Sequence, residues 1–213
     1  MVVSGRLSGH TMHPADLVVP SHYRYRNNAV TKWFGRTVMR LVGWQFEGRL
    51  PDVAKVLVSV APHTSNWDFV IGVLTLFALD LKISFLGKHT LFDGPFGRFM
   101  RAIGGIPVDR SKPNGVVGDC ADAIRSAEQI VFAMAPEGTR QLNKGFKSGF
   151  IHIAHTAGVP ICLAYFDFQR RVVGFGPLFQ PTGDAVADIA EITAFYRAIP
   201  GKYWKDWQRT DPL

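Results

Sequence analysis

Ala61-Pro62-His63-Thr64-Ser65-Asn66-Trp67-Asp68 follows an apolar run at 55–61 and leads into a second at 69–79, so it reads as a turn from strand to helix. The turn sets a histidine five positions before an aspartate. Residues five apart lie on different faces of a continuous helix, so the two side chains meet only if His63 stays in the turn and Asp68 enters the first helical turn. Ser65 and Asn66 suit that break: both are favoured N-caps, and a helix N-terminus stabilises an ionised Asp68. The carboxylate then holds the His63 ring in one tautomer and leaves its other nitrogen facing outward, the arrangement of a general base.

Seven histidines and thirteen aspartates in 213 residues give about 0.4 such spacings by chance, so the pair decides nothing without company. Company comes from two further segments. Ala135-Pro136-Glu137-Gly138-Thr139-Arg140 directly follows the apolar run Ile130-Val131-Phe132-Ala133-Met134, which reads as a strand and then a glycine-bearing polar loop. Between the two lies Gly104-Gly105-Ile106-Pro107-Val108-Asp109-Arg110, which delivers an arginine from the end of another short apolar segment.

With those residues in view, the chain resembles the glycerol-phosphate and lysophosphatidic-acid (1-acylglycerol-3-phosphate) O-acyltransferase family, whose blocks are H-x-x-x-x-D, G-x-I-x-x-x-R, E-G-T-R and a later V-P-I. Here these are His63 with Asp68, Gly104 with Arg110, Glu137-Gly138-Thr139-Arg140, and Val159-Pro160-Ile161. All four stand in family order over about half the chain, and Phe146-Lys147-Ser148-Gly149-Phe150 resembles the family's segment after E-G-T-R. One departure is that the last block continues as Cys162-Leu163-Ala164 where the family often has a second proline, which bears on substrate more than on fold.

The resemblance implies direct acyl transfer from a thioester, acyl-CoA or acyl-carrier protein, to a hydroxyl of a lyso-lipid acceptor. A hydroxyl attacks poorly until its proton is removed, and His63, steered by Asp68, is the base for that step. No serine or cysteine sits beside His63 in a nucleophile turn, so no covalent intermediate is required. Arg110 and Arg140 are the expected phosphate ligands, because a guanidinium fork matches phosphate oxygens. Lys147 is a further phosphate contact. Glu137, Gly138 and Thr139 shape the acceptor pocket, Glu137 among the substrate-binding residues by resemblance. The oxyanion donors stay unassigned. The tract over 69–79 either lines an acyl groove or is simply core.

Composition bounds the setting. The length is that of one domain with a sizeable core, and 47% hydrophobic with 19% charged residues excludes a disordered or integral membrane chain. A net charge of +7 favours anionic partners such as phospholipid surfaces, phosphate-bearing substrates or nucleic acid, and charge alone does not choose among them; no nucleic-acid motif is present. Cys120 and Cys162 have neither metal nor disulfide spacing and read as packing residues of a reducing compartment. His10, His13 and His22 are irregularly spaced with no supporting cluster, so no metal is expected and no cofactor beyond the thioester co-substrate. The apolar stretch at 69–81 contains Asp80 and falls short of the ~20 residues of a membrane span.

The expected architecture is α/β: a single domain with a mixed central sheet flanked by helices, preceded by an amphipathic N-terminal helix. Residues 1–28 lack a secretory signal pattern and are expected to form a loosely ordered lead-in. Over 29–45, Val30, Trp33, Phe34, Val38, Leu41 and Trp44 share one helical side while Lys32, Arg36 and Arg40 recur opposite. That pattern fits a helix packed on the core, the commoner case, and also one lying in a membrane interface, with Gly35 and Gly43 weakening both. The acyltransferase domain then spans 46–213. Strands are expected at 55–61, 83–87, 130–134, 159–165 and 171–175, and helices at 66–79, 115–128, 148–157 and 185–199. The tail Tyr203-Trp204-Lys205-Asp206-Trp207 suits an interface or a core edge.

The leading expectation is thus a peripheral O-acyltransferase on the cytoplasmic side of a membrane. A lipid or thioester hydrolase using the same pair, and a non-catalytic anionic-lipid-binding protein, are the alternatives.

Overall fold

A computed structural model of the chain describes residues 10–24, 28–108, 113–138, 141, 145–205 and 208, with backbone only for 113–115. Seven strands run β1 (Gln45–Gly48), β2 (Lys55–Val60), β3 (Ser84–Lys88), β4 (Gly105–Val108), β5 (Ile130–Met134), β6 (Ile161–Asp167) and β7 (Val172–Phe179). They form one mixed sheet in the order β1-β7-β6-β2-β5-β3-β4, parallel throughout except for the antiparallel β6–β7 hairpin. Among the described residues six α-helices accompany them: α1 (Ala29–Leu41), α2 (Trp67–Leu79), α3 (Gly94–Ala102), α4 (Pro113–Ser126), α5 (Gly149–Ala157) and α6 (Ala185–Tyr196).

The apolar runs become central strands because helices cover both sheet faces, and successive side chains point to opposite faces. In β6 the alternation is plain. Cys162, Ala164 and Phe166 pack with Met39 of α1 and Ile71, Ala78 and Leu79 of α2, while Ile161, Leu163 and Tyr165 pack with Ile124, Phe150 and Ile192 from α4, α5 and α6. All seven residues of β6 are buried. Cys120 and Cys162 fall in opposite layers, and burial pushes their thiols up to about 11 and about 12.

The structure departs from the sequence expectation at the N-terminal side. α1 stops at Leu41, short of the expected 45, because Gly43 takes a positive φ of 73° that turns the chain into β1 and buries Trp44 against Phe168. It packs on α2 through Gly35 and Met39: a Cβ on Gly35 would lie 2.5 Å from the Ala78 nitrogen. Val30, Trp33, Phe34 and Leu41 are left exposed, so these residues do not pack on the core. Nor is the lead-in loose where it is described. Met12 bridges Phe46, Leu17 and Val19 are buried, and the Tyr23 hydroxyl donates to the Val53 carbonyl at 2.6 Å. Among the described residues, no helix is long and apolar enough to cross a membrane.

Candidate active site

The loops after β2 and β5 carry His63 and Glu137, and these two strands are neighbours in parallel register, Ser59 opposite Met134. Both loops therefore emerge side by side at the carboxyl edge of the sheet, where α/β folds place their ligands.

In the first loop Asp68 enters α2 as its second residue, and its buried Oδ2 gathers three donors. The His63 ring nitrogen Nδ1 stands 3.0 Å away, and the backbone N–H groups of Thr64 and Ser65 donate at 2.7 and 2.8 Å. The capping differs from the sequence expectation. Asn66 makes no side-chain cap; Ser65 Oγ accepts from Trp67 N–H at 3.1 Å, and Asp68 itself closes the loop. Held through Nδ1, the imidazole turns Nε2 away from the carboxylate, and its side chain keeps about a fifth of its surface exposed. That geometry can take up a proton at Nε2 while the carboxylate stabilises the resulting imidazolium.

The second loop is set deeper. Glu137 is wholly buried and both its oxygens are engaged: Oε1 accepts the backbone N–H of His63 at 3.0 Å, and Oε2 faces Lys205 Nζ at 2.5 Å. Burial pushes its carboxyl above the ordinary value, against the opposing pull of Lys205 and the His63 N–H. Glu137 is therefore not open to a substrate as the resemblance implied; it reaches the site through the backbone of His63. Gly138, at φ 63°, turns the chain where a side chain would be strained, and Lys147 lies across it, 3.5 Å from where a Cβ would stand.

A cavity of about 1040 Å³ opens on these loops. His63, Asp68, Gly138 and Lys147 line it together, and behind them its wall is apolar. Phe69, Gly72 and Leu76 of α2 line it together with Phe85, Val131 and Phe166, whereas Ile71, Ala78 and Leu79 of the same helix are buried in the core, so the tract at 69–79 is part cavity wall and part core. Arg110, Thr139 and Arg140 lie outside the described residues. Val108, two positions before Arg110 in the chain, lines the same cavity. Among the described residues no group of three or more His, Cys, Asp or Glu is arranged to hold a metal ion.

Sequence reading missed the segment that closes on the turn from behind. Gly201 lies against Pro62 and Thr64, where a Cβ would meet Thr64 Cγ2 at 2.7 Å. Thr64 Oγ1 accepts from the N–H groups of Lys202 and Tyr203 at 3.1 and 3.4 Å, and the Lys202 ammonium sits over the Trp67 ring, 4.8 Å from its centroid. The contacts span some 140 residues of chain, so no local pattern signals them.

The acyltransferase family's sequence profile matches residues 44–166. The 1-acyl-sn-glycerol-3-phosphate acyltransferase of Haemophilus influenzae is 32% identical over 155 residues, 66% of this chain and 62% of that protein. Its counterpart from Escherichia coli is 31% identical over 137 residues, 60% of this chain and 54% of that protein. The chain thus spans between half and two thirds of the length of the curated relatives it matches. Among solved structures, the 1-acyl-sn-glycerophosphate (LPA) acyltransferase PlsC of Thermotoga maritima superposes with a TM-score of 0.55 over 76% of this chain and 72% of that one, at 15% identity, which is a likeness of fold.

Proposed function

This chain belongs to the acyltransferase family, and on that premise we propose that it moves a fatty acyl group from an acyl thioester to a hydroxyl of a lysophospholipid-like acceptor, with 1-acylglycerol-3-phosphate first among candidates. The observation that carries the reading is the His63 Nδ1 to Asp68 Oδ2 contact of 3.0 Å in the wall of a large apolar cavity. In this mechanism the acceptor hydroxyl gives its proton to Nε2 of His63 as its oxygen attacks the thioester carbonyl. Asp68 stabilises the imidazolium, and the thiolate leaves, taking the proton back. The apolar wall takes the acyl chain by the hydrophobic effect. Arg110, Arg140 and Lys147 serve the acceptor's phosphate, and Gly138 and Thr139 shape its pocket. Acyl-CoA and acyl-carrier protein both fit as donors.

The same reading puts the protein at the cytoplasmic face of a membrane, as a peripheral enzyme. Trp33, Phe34 and Leu41 of α1 and Trp67 at the head of α2 are exposed apolar groups, and the exposed Arg40 supplies a cation for anionic headgroups, whereas Arg36 donates to the Ala78 carbonyl. Trp67 directly precedes Asp68, so a lipid surface met there delivers the acceptor beside the base.

The test is a mass-spectrometric survey of products from purified protein, several acyl-CoA and acyl-carrier-protein thioesters, and a panel of lyso-lipids, with His63→Ala alongside. Acylated acceptor formed by the wild type and lost in the variant is the expected result. Free fatty acid released regardless of acceptor would make the protein a hydrolase. No turnover, with salt-sensitive vesicle binding indifferent to His63→Ala, would leave a lipid-binding protein.

A further inference from the structure

We infer that Lys205 is a positioning residue for the catalytic histidine, acting through Glu137. It lies well outside residues 44–166, in a segment that no family block reaches.

Lys205 has no exposed surface, an unusual position for an ammonium group. Its Nζ faces Glu137 Oε2 at 2.5 Å and donates to the Gln141 carbonyl at 2.7 Å. Its backbone N–H donates to Gln208 Oε1 at 3.0 Å, and Gln208 Nε2 in turn donates to the Ile199 carbonyl at 2.7 Å, just past α6. At the other end Glu137 Oε1 accepts the His63 N–H. An unbroken relay of polar contacts therefore runs from the end of α6 to the peptide nitrogen of the residue that carries the proton.

The two ends of Glu137 explain what the ammonium contributes. A carboxylate with one oxygen on a backbone N–H still has a second to satisfy, and in a buried place an unpaired charge is costly enough to be protonated or to swing away. Lys205 sets its ammonium against that oxygen as an ion pair, outside hydrogen-bond geometry, and so balances the charge and favours the ionised carboxylate. Oε1 is then a charged acceptor aimed at His63 N–H, the stronger kind of hydrogen bond. The imidazole hangs from that same residue, and its Nδ1 must keep its 3.0 Å contact with Asp68. Thr64 and Pro62 are held separately by Gly201, Lys202 and Tyr203, so the residues on both sides of His63 are fixed while its own peptide depends on Glu137. Small errors in the placement of a base are costly in rate, and the loss falls on kcat.

The kinetic half of this inference rests on the acyl-transfer reading, so the experiment has an arm that does not. Wild type, Lys205→Met, Lys205→Arg and Glu137→Gln/Lys205→Met are compared by thermal melting, by the backbone amide resonance of His63 in the full-length protein, and by kcat and KM in the product assay. The expected outcome for Lys205→Met is an upfield move of the His63 amide proton and a kcat lower by roughly 10- to 100-fold with KM changed by less than about threefold. The double variant should regain much of that kcat, because a glutamine oxygen accepts the same N–H with no charge left buried, whereas a merely structural lysine would not be rescued this way. Lys205→Arg should fall between. An unmoved His63 resonance with wild-type kcat in Lys205→Met overturns the inference, and so does a rise in KM at constant kcat. If Lys205→Met does not fold, the double variant is read against wild type: it must shift the His63 resonance, and no shift overturns the inference. A wild type that acylates nothing defeats the proposed function while leaving the resonance arm to decide this one.

Discussion

His63–Asp68 and Glu137–Lys205 are built from the same ingredients, a carboxylate facing a nitrogen base at 3.0 and 2.5 Å, and they sit on loops after neighbouring strands. Their surroundings differ. The first pair ends in an imidazole with a fifth of its surface open in a cavity wall, whereas neither side chain of the second has any exposed area. An open ring can be reached by a substrate; a sealed ammonium and carboxylate cannot, and what they provide is fixed geometry. The sealed pair is hydrogen-bonded to the peptide of the open one, so on the proposed mechanism exposure marks the chemistry and burial marks its support.

The largest effect that would sharpen this contrast is on the open pair. His63→Ala should lower kcat/KM by roughly 1,000-fold or more, the range of a lost general base, and leave the melting temperature nearly unchanged. Asp68→Asn should follow, at roughly 100-fold in kcat, since the amide keeps an oxygen for the Thr64 and Ser65 N–H groups but no charge for the imidazolium. For the sealed pair the order of effects reverses. Lys205→Met should cost about 3–5 kcal/mol of stability in denaturant titration, because it strands a buried carboxylate; a cost near that of a surface substitution would break the comparison.

A smaller effect is in pH. Glu137 is held above its ordinary 4.5 by burial, so the folded protein keeps this proton to higher pH than the unfolded chain does. Stability should therefore fall as pH rises from about 4.5 through the raised value, by ~1.4 kcal/mol for each unit of displacement, and Glu137→Gln should remove that slope from denaturant curves taken across the range. The smallest effect is expected on α1, where Trp33→Glu/Leu41→Glu should change stability by no more than about 0.5 kcal/mol per site, since both side chains are exposed, while weakening sedimentation with anionic vesicles.

The open pair was legible in the sequence and the sealed one was not. His63 and Asp68 lie in one turn, so spacing and turn chemistry bring them together, and the strands at 130–134 and near 55–60 stand out as apolar runs. β1 was hidden because Trp44 continues the helical stripe of α1, and Glu47, buried beside Arg170 and Tyr165, reads in sequence as a surface charge. α3 does not show in the sequence because its two glycines and its proline obscure a nine-residue helix. Glu137 could be singled out by its motif but not its role, since its partner Lys205 is fixed only by the return of the chain across the sheet edge. A lysine among tryptophans and an aspartate looks like solvated surface until the tertiary fold removes the solvent.

The relay to Lys205 also imposes an order on how the site comes into being. A ribosome synthesising this chain makes the histidine and the aspartate well over a hundred residues before the ammonium that steadies the histidine through Glu137. A nascent chain arrested at residue 200 would carry every family block and still lack its alignment. A chain interrupted between residues 200 and 205 would therefore keep His63, Asp68 and Glu137 and lose the contact that steadies them, without any change at the residues of the proposed base.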